Sequence, residues 1–538
     1  MVGGGTLVTY HVVVATDLTD YALETLRSRS DTTVALVTPR LRAVQDALAD
    51  ATALIARDDI LIDKELLDHG PKLKVVGRVG AGLSGIDIPA ASERGIIVTH
   101  TPGVSAIAAA EHTIALMLGL SRRLVSLHES LRDGYWLLDR RRQAASQLSS
   151  KTLGIIGLGR VGRAVAHRCL AFGMIVLAYD PYISEDQIDD PRLYLVGLPE
   201  LLSRSDFVTL HVPPTAETRG MVDAEFIARI KPGAKLINTA FGGLIDESAA
   251  AAALKNGHLS GVALDVYAEE PPYSSPLIGL ESVLHTPHVA ENTIEATQDL
   301  SIQIVHQVMD ALRGSDYRNV VNMPFLPGAE YETIRPYLVL AERMGTLLHA
   351  LARHAVRRVA VEYRGNELTG LIKPLAVALL KGLLAPILGD GVSYVNAPLL
   401  AAERGIHLTQ TKGLKTGDYS TLVSAQVTLD DGEDIIVSGT LLDRQEAHIV
   451  QVNEYRMNFV PSGHLLIMGS FDQPGVIGRV GTLMAENQVN IASWYTGRAT
   501  PGGHTLTVLS LDQPLGDSVM DQLLALDFVR HAHQVALF

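Results

Sequence analysis

The stretch Thr152–Asp180, TLGIIGLGRVGRAVAHRCLAFGMIVLAYD, constrains the fold more than any other part of the chain. It opens with a short apolar run, Leu153 to Ile156, rich in β-branched residues, which reads as a buried strand. Gly157, Gly159 and Gly162 follow in G-x-G-x-x-G spacing, and an amphipathic helical pattern then runs to about Phe172. A second apolar run, Met174 to Tyr179, ends at Asp180. In such a unit the first glycine permits a tight strand-to-helix turn. The second lets backbone approach a pyrophosphate, and the third lets helix and strand pack closely. The pyrophosphate charge is expected on unpaired N–H groups at the helix N-terminus. Asp180 stands where a carboxylate accepts hydrogen bonds from an adenosine ribose and repels a 2′-phosphate, so NAD is expected rather than NADP. The glycine spacing alone is a weak signal; strand, turn, helix, strand and terminal acid in one unit form a specific one.

At 538 residues the chain has room for three or four domains. Hydrophobic residues make up 47% and charged residues 19%, enough apolar material for several cores. A net charge of -14 argues against nucleic acid or an anionic membrane as a general partner, and means that an anionic substrate needs local positive charge. The single cysteine, Cys169, falls inside the helix after the glycine turn. It reads as a buried structural thiol and excludes a disulfide framework within one chain. No basic region followed by an apolar core and cleavage site opens the sequence. No run of about 18 apolar residues suggests a membrane span. A soluble cytoplasmic protein is expected, with no metal site.

Ahead of the glycine turn, strands at 11–16, 33–38, 50–56 and 73–79 alternate with helical patterns, such as that from about Asp20 to Arg29. Alternation of this kind indicates a parallel sheet with helices on both faces. A second copy begins at Thr152, so two α/β domains are expected, each a doubly wound parallel sheet. Between them Ala108–Ser121 is an almost wholly apolar helical pattern, which suggests burial between domains or at a dimer interface. Glu111 and His112 within it read as satisfied packing residues. The second unit continues with strands at 207–211, 235–238, 259–266 and 282–284, and a helix from Thr293 to about Arg313 carries the chain back towards the first domain. From Asn319 the texture changes. VVNMPFLP is a proline-punctuated linker, and the segment to about Met457 mixes helices with strands such as Val359–Tyr363. Leu465 to Phe538 reads strand, helix, strand, strand, helix, strand, a ferredoxin-like βαββαβ pattern.

Several segments resemble the D-2-hydroxyacid dehydrogenase superfamily and, within it, the long-type D-3-phosphoglycerate dehydrogenase family. They are KTLGIIGLGRVGRAVAHR with YDPYI, the DVYAEEPP segment, the TPH of HTPHVAENTIEA, VNAPLLAAERGI and FDQPGVIGRVGTLMAENQVNIASWYTGR. The resemblance covers almost the whole chain. It implies a flavodoxin-like substrate domain from residues 1–103 and 291–322, a Rossmann-like NAD-binding domain at 104–290, an α+β intervening domain at 323–457 and a βαββαβ ACT domain at 463–538. It also implies oxidation of 3-phosphoglycerate to 3-phosphohydroxypyruvate with NAD, the step that starts serine synthesis. A homodimer or homotetramer is expected, with an amino acid as allosteric effector.

Transfer of hydride from a hydroxy acid needs a group that removes the hydroxyl proton, and histidine suits this because it titrates near working pH. His288, after Thr286-Pro287, matches the family's acid/base, and Glu270 matches the carboxylate that orients the imidazole and stabilises its charged form. On the cofactor side, Arg160 and Val161 would offer backbone N–H groups to the pyrophosphate beside Gly157, Gly159 and Gly162. Asp180 fits the ribose, and His211, Val212 and Pro213 fit the loop that borders the adenine. Thr239 and Asp265 fit contacts to the nicotinamide amide.

The substrate side departs from the family's pattern. The arginine that clamps the substrate carboxylate belongs in the motif N-x-x-R-G-G, and this sequence reads Asn238, Thr239, Ala240, Phe241, Gly242, Gly243. A phenyl ring has no charge and no donors. Arg57 matches a substrate-phosphate contact, but Asp58 and Asp59 follow it, so a structural Asp–Arg pairing is an equal reading. Gly80, Ala81 and Gly82 could present N–H groups to a carboxylate, although LSGID replaces the usual residues after them, Ser105 stands where an asparagine is usual, and Glu291 adds an anion after His288. These departures keep two other readings open: a dehydrogenase of a different 2-hydroxy acid, and a non-catalytic paralogue that binds NAD and an amino acid. In the last domain, Asp472 in the D-Q-P-G turn and Asn490, facing it across a subunit interface, fit an amino acid's ammonium and carboxylate. Resemblance implies L-serine; a D-x-P-G turn without ligand is the plain alternative.

Overall fold

The computed structural model describes residues 9–83, 85–136, 145–188, 190–323, 331–365, 370–413, 419–443 and 445–537. Part of the VVNMPFLP linker and Ser84 of LSGID lie outside the described residues. The chain divides into two compact units. One comprises residues 1–17, 25–100 and 304–538, the other 18–24 and 101–303.

The second unit is built on a seven-stranded parallel sheet. Its order is Val283–His285, Leu259–Leu264, Ala234–Asn238, Phe207–Leu210, Thr152–Ile156, Ile175–Tyr179, Leu193–Leu195. Chain order reverses beside Thr152–Ile156, so the ends of that strand and of Phe207–Leu210 flank the point where an open parallel sheet presents a ligand crevice. The strands read as continuous apolar runs because both faces are covered. Leu153, Ile155 and Val176 pack on one face with Cys169 and Val165, while Ile156, Val208 and Leu210 pack on the other with Leu201 and Phe226. Burial pushes the Cys169 thiol up to about 12. The apolar helix extends from Ala106 to Arg122, with Ala110, Ile114 and Met117 in the same core as Cys169.

The first unit carries three sheets. A five-stranded parallel one runs in the order Thr32–Leu36, Tyr10–Ala15, Ala53–Ala56, Val75–Arg78, Ile97–His100, the flavodoxin-like 2-1-3-4-5 arrangement. The returning chain docks on it: Asn322 accepts from Val98 N–H through Oδ1 at 2.9 Å and donates to Ile96 O at 2.8 Å. Strand Ile97–His100 and the helix Ile88–Glu93 before it are additions to the sequence reading. A six-stranded mixed sheet follows, from Val356–Arg364 to Tyr455–Phe459, covered by the long helix Tyr331–Leu351, on which Ile372–Leu388 packs. The last sheet has the order Ile491–Arg498, His504–Leu511, Gly463–Phe471, Val529–Leu537, with helices Val476–Glu486 and Asp517–Leu524, the expected βαββαβ. Among the described residues no helix is long and apolar enough to cross a membrane.

Candidate active site

The glycine turn folds as its spacing requires. Strand Thr152–Ile156 ends at Gly157, whose φ of +93° is open to glycine and costly to other residues. A Cβ there would lie 2.4 Å from His211 O, and one on Gly162 would lie 2.1 Å from Gly157 O. Gly159 precedes the helix Arg160–Ala171, and a Cβ on it would meet nothing within 4 Å. That open face lies over the first turn of the helix, where N–H groups lack intrahelical partners. Asp180 sits at the end of the next strand and reaches back: Oδ2 accepts from Leu158 N–H at 2.8 Å and Oδ1 from Tyr182 N–H at 3.0 Å. Each oxygen keeps a second lone pair for a ribose hydroxyl. The Arg160 side chain turns away to donate to Pro102 O at 2.8 Å, which leaves the backbone exposed at the turn. His211 bonds Thr209 Oγ1 at 3.0 Å, and burial pushes its imidazole down to about 3, so it is neutral. Val212 packs against Gly157, and Pro213 O accepts from Thr218 Oγ1 at 2.5 Å. The residues present fit a dinucleotide.

At the neighbouring strand ends a histidine and a carboxylate pair. His288 Nδ1 is 2.8 Å from Glu270 Oε2, with both side chains partly exposed. Glu270 Oε1 accepts from Tyr267 N–H at 3.1 Å, so one carboxylate joins the imidazole to its own loop. Glu270 accepts a hydrogen bond from His288 Nδ1–H, which fixes the tautomer and the plane of the ring. His288 has φ +54°, a left-handed conformation that costs a non-glycine residue about 1–3 kcal/mol and persists where surroundings over-determine it. The determinant is Asp265. Its backbone O takes His288 N–H at 2.8 Å, and its carboxylate takes Thr286 Oγ1 at 2.6 Å, Val289 N–H at 3.0 Å and Ala290 N–H at 2.8 Å. Burial alone would raise the Asp265 carboxyl, but bonds from His112, Thr286, Val289 and Ala290 hold it well below the usual carboxylate range. The carboxylate points into the fold and is spent on the 286–290 loop. Thr239 likewise bonds inward, to Thr113 Oγ1 at 2.7 Å.

Phe241 lines the same cavity as His288 and Glu270. Asn238 shapes that loop from both sides, donating to Phe241 O at 2.9 Å and accepting from Ala240 N–H at 3.0 Å. A Cβ on Gly242 would fall 1.7 Å from Tyr267 O, so only glycine lets the 238–243 and 265–270 loops touch. Together they enclose a cavity of about 270 Å³ lined by Phe241, Val266, Tyr267, Glu270 and His288. Among the described residues no lysine or arginine lines it.

In the other unit Arg57 follows the strand Ala53–Ala56, and Gly80 to Gly82 follow Val75–Arg78. Gly80 has φ +115°, and Ala81 O accepts from His100 Nδ1 at 3.0 Å. Sequence reading passed over Arg78, the last residue of its strand and 1% exposed. Burial lowers this guanidinium from its ordinary value while Asp58 and Asp59 act to raise it, and burial together with Asp58 raises the Asp59 carboxyl. An arginine ending the apolar run VVGR was the available signal.

In the last sheet Asp472 accepts from Gly502 N–H at 2.9 Å and pairs with Arg498 at 3.1 Å. Asn490 donates to Asp512 at 2.7 Å. Strand Ile491–Arg498 separates them, so they occupy opposite ends of the sheet, roughly 25 Å apart at about 3.3 Å per residue. One copy of the chain does not bring them together.

Comparison with known proteins accords with this geometry. The family model for the NAD-binding domain of D-isomer-specific 2-hydroxyacid dehydrogenases matches residues 114–290. The D-3-phosphoglycerate dehydrogenase intervening-domain model matches 333–453, and the ACT-domain model 464–528. D-3-phosphoglycerate dehydrogenase of Synechocystis sp. is 38% identical over 91% of this chain and 88% of its own length. That of Archaeoglobus fulgidus is 38% identical over 90% and 92%. Among solved structures, D-lactate dehydrogenase from Aquifex aeolicus, complexed with NAD and lactic acid, is 31% identical with a TM-score of 0.51, covering 57% of this chain and 96% of that one. The cofactor is NAD. End-to-end agreement of sequence, domain content and site geometry places the chain in the D-3-phosphoglycerate dehydrogenase family of D-isomer-specific 2-hydroxyacid dehydrogenases.

Proposed function

We propose that this chain oxidises 3-phosphoglycerate to 3-phosphohydroxypyruvate with NAD, the first step of L-serine synthesis. The observation that carries the reading is the His288–Glu270 pair at 2.8 Å on the strand ends beside an intact dinucleotide turn. Bound NAD supplies the hydride acceptor. His288 Nε2 takes the proton of the substrate hydroxyl, and Glu270, held by Tyr267 N–H, stabilises the imidazolium that results. Arg57 and Arg78 are the cations proposed for the substrate phosphate, with Gly80, Ala81 and Gly82 offering N–H groups to the carboxylate. We assign His211, Val212, Pro213 and Thr239 to the walls of the cofactor site, and Asp265 to support of its loop.

Phe241 favours a second reading within the same chemistry, a different 2-hydroxy acid. A cavity wall of Phe241, Val266 and Tyr267 accepts an apolar substituent more readily than a phosphate-bearing one. NADH formation from 3-phosphoglycerate, 2-hydroxyglutarate and D-lactate, assayed side by side, separates the two. If no hydroxy acid yields NADH, both readings fail and the chain is an NAD-binding paralogue without turnover.

For regulation, the separation of Asp472 and Asn490 supports an effector site assembled from two ACT domains in a homodimer or homotetramer, with L-serine as its ligand. Titration of the oligomer with L-serine by calorimetry tests it. We place the enzyme in the cytoplasm.

A further inference from the structure

The helix Ala106–Arg122 carries two adjacent polar residues that the chemistry above leaves unused. His112 Nε2 lies 3.0 Å from Thr286 Oγ1 and 3.3 Å from Asp265 Oδ1. Thr113 Oγ1 lies 2.7 Å from Thr239 Oγ1. Successive helical residues point about 100° apart, so this pair reaches two different loops from one rigid element. Thr239 and Phe241 share one loop, and Thr286 and His288 share the other.

Donor and acceptor roles follow from the remaining bonds. Thr286 gives its hydroxyl proton to Asp265, so its oxygen accepts from His112 and the proton resides on His112 Nε2. Thr113 gives its proton to Ala109 O at 2.7 Å, so Thr239 is the donor to Thr113. Thr113, Thr239 and Asp265 are buried, Thr286 is half-buried, and the His112 side chain is 21% exposed. Asp265 gathers four donors within reach, counting His112, and those donors fold the 286–290 segment around it with His288 in the left-handed region.

We propose that His112 and Thr113 are positioning residues that hold the His288 loop and the Phe241 loop in register with each other. His112 acts through Thr286 and Asp265 on the placing of His288, and Thr113 acts through Thr239 on the placing of Phe241. Neither touches substrate. The inference rests on the proposed role of His288, and it gives the apolar helix a task beyond filling the core.

The test pairs hydrogen exchange with kinetics on the full-length protein in NAD. His112→Leu is expected to speed amide exchange about five- to tenfold in the peptide spanning 286–290, the factor that one lost buried hydrogen bond gives, with the rest of the nucleotide domain unchanged. Thr113→Val is expected to do the same in 238–243 alone. His112→Gln, which keeps an N–H near the Nε2 position, restores the wild-type rate. In steady state His112→Leu lowers kcat ten- to hundredfold with KM for NAD within about twofold, as a small misplacement of a catalytic group does. Unchanged exchange at 286–290 in His112→Leu overturns the proposal. So does faster exchange throughout the domain in the Leu and Gln variants alike, which would mark general support of the fold. Because exchange needs no turnover, a chain that oxidises no hydroxy acid would defeat the functional reading and still leave this one decided.

Discussion

Phe241→Arg is the most informative single change. The residue lines the 270 Å³ cavity with His288 and Glu270 and packs at the edge of the core containing Val222, Leu244 and Tyr267. Removing a half-buried phenyl ring costs about 1 kcal/mol of packing, a fraction of the roughly 1.5–3 kcal/mol for a fully buried one. The arginine stem recovers part of that by covering the same apolar edge. Against this, a guanidinium paired to a desolvated substrate carboxylate contributes roughly 2–5 kcal/mol, or about thirty- to several-thousand-fold in kcat/KM. The gain exceeds the loss, provided the new cation does not draw Glu270 from His288. The Glu270 carboxylate resists capture because Tyr267 N–H holds its second oxygen at 3.1 Å. The assay is kcat/KM for 3-phosphoglycerate with saturating NAD, wild type beside variant, with thermal melting to show that both fold. At least a thirtyfold rise is expected. A wild type already within threefold of the variant would falsify the view that position 241 limits turnover, and would mean that the carboxylate is held elsewhere.

Other changes probe the remaining parts. Glu270→Gln keeps the shape of the His288 contact and removes its charge, so kcat should fall about a hundredfold or more while the melting temperature holds; an unchanged kcat removes Glu270 from the mechanism. Gly159→Ala and Gly162→Ala should part company. The first has free space, so the protein melts normally and loses NADH affinity about tenfold in a fluorescence titration, whereas the second presses on Gly157 O and destabilises the fold by about 1–3 kcal/mol. Equal melting temperatures would contradict this account of the turn. His531 is held down to about 4 by burial, with Arg353, His533 and Arg530 adding to it. A histidine whose folded value lies below its ordinary 6.5 stabilises the fold above that value, and the contribution is lost as pH falls from about 6.5 to 4. The melting temperature should drop across that window, and His531→Phe should flatten the drop. A slope unaltered by the substitution assigns it to other groups.

The glycine turn was legible because each glycine answers a demand made within a few residues: a positive φ at Gly157, a close approach at Gly162, an open face at Gly159. His288 and Glu270 were legible through their flanking prolines and acids, which sit next to them in sequence. What stayed hidden depends on which way a side chain points once distant strands are aligned. Asp265 was read for a nicotinamide contact, and the bonds its carboxylate takes from Thr286, Val289 and Ala290 were not visible in the sequence. His112 read as plain packing because its partners lie 153 and 174 positions away. Arg78 was passed over inside the 73–79 strand, and its burial to 1% exposure shows only in the folded chain. The separation of Asp472 from Asn490 follows from antiparallel register, which spacing along the chain does not disclose.

The one sulfhydryl group of the chain gives the molecule a built-in gauge. Cys169 is fully buried on the inner face of the helix that follows the glycine turn, and its proton is held far above the ordinary thiol range. Thiolate is the reactive form, so thiol-selective alkylating reagents cannot react with Cys169 while that layer is closed. Alkylation of Cys169 in the intact protein therefore counts openings of the nucleotide-binding sheet and of no other part. A ligand that binds only the closed sheet slows that count by the factor 1 + [L]/Kd. With no second cysteine to confuse the signal, the rate of alkylation converts directly into cofactor affinity, even in a variant that carries out no chemistry at all.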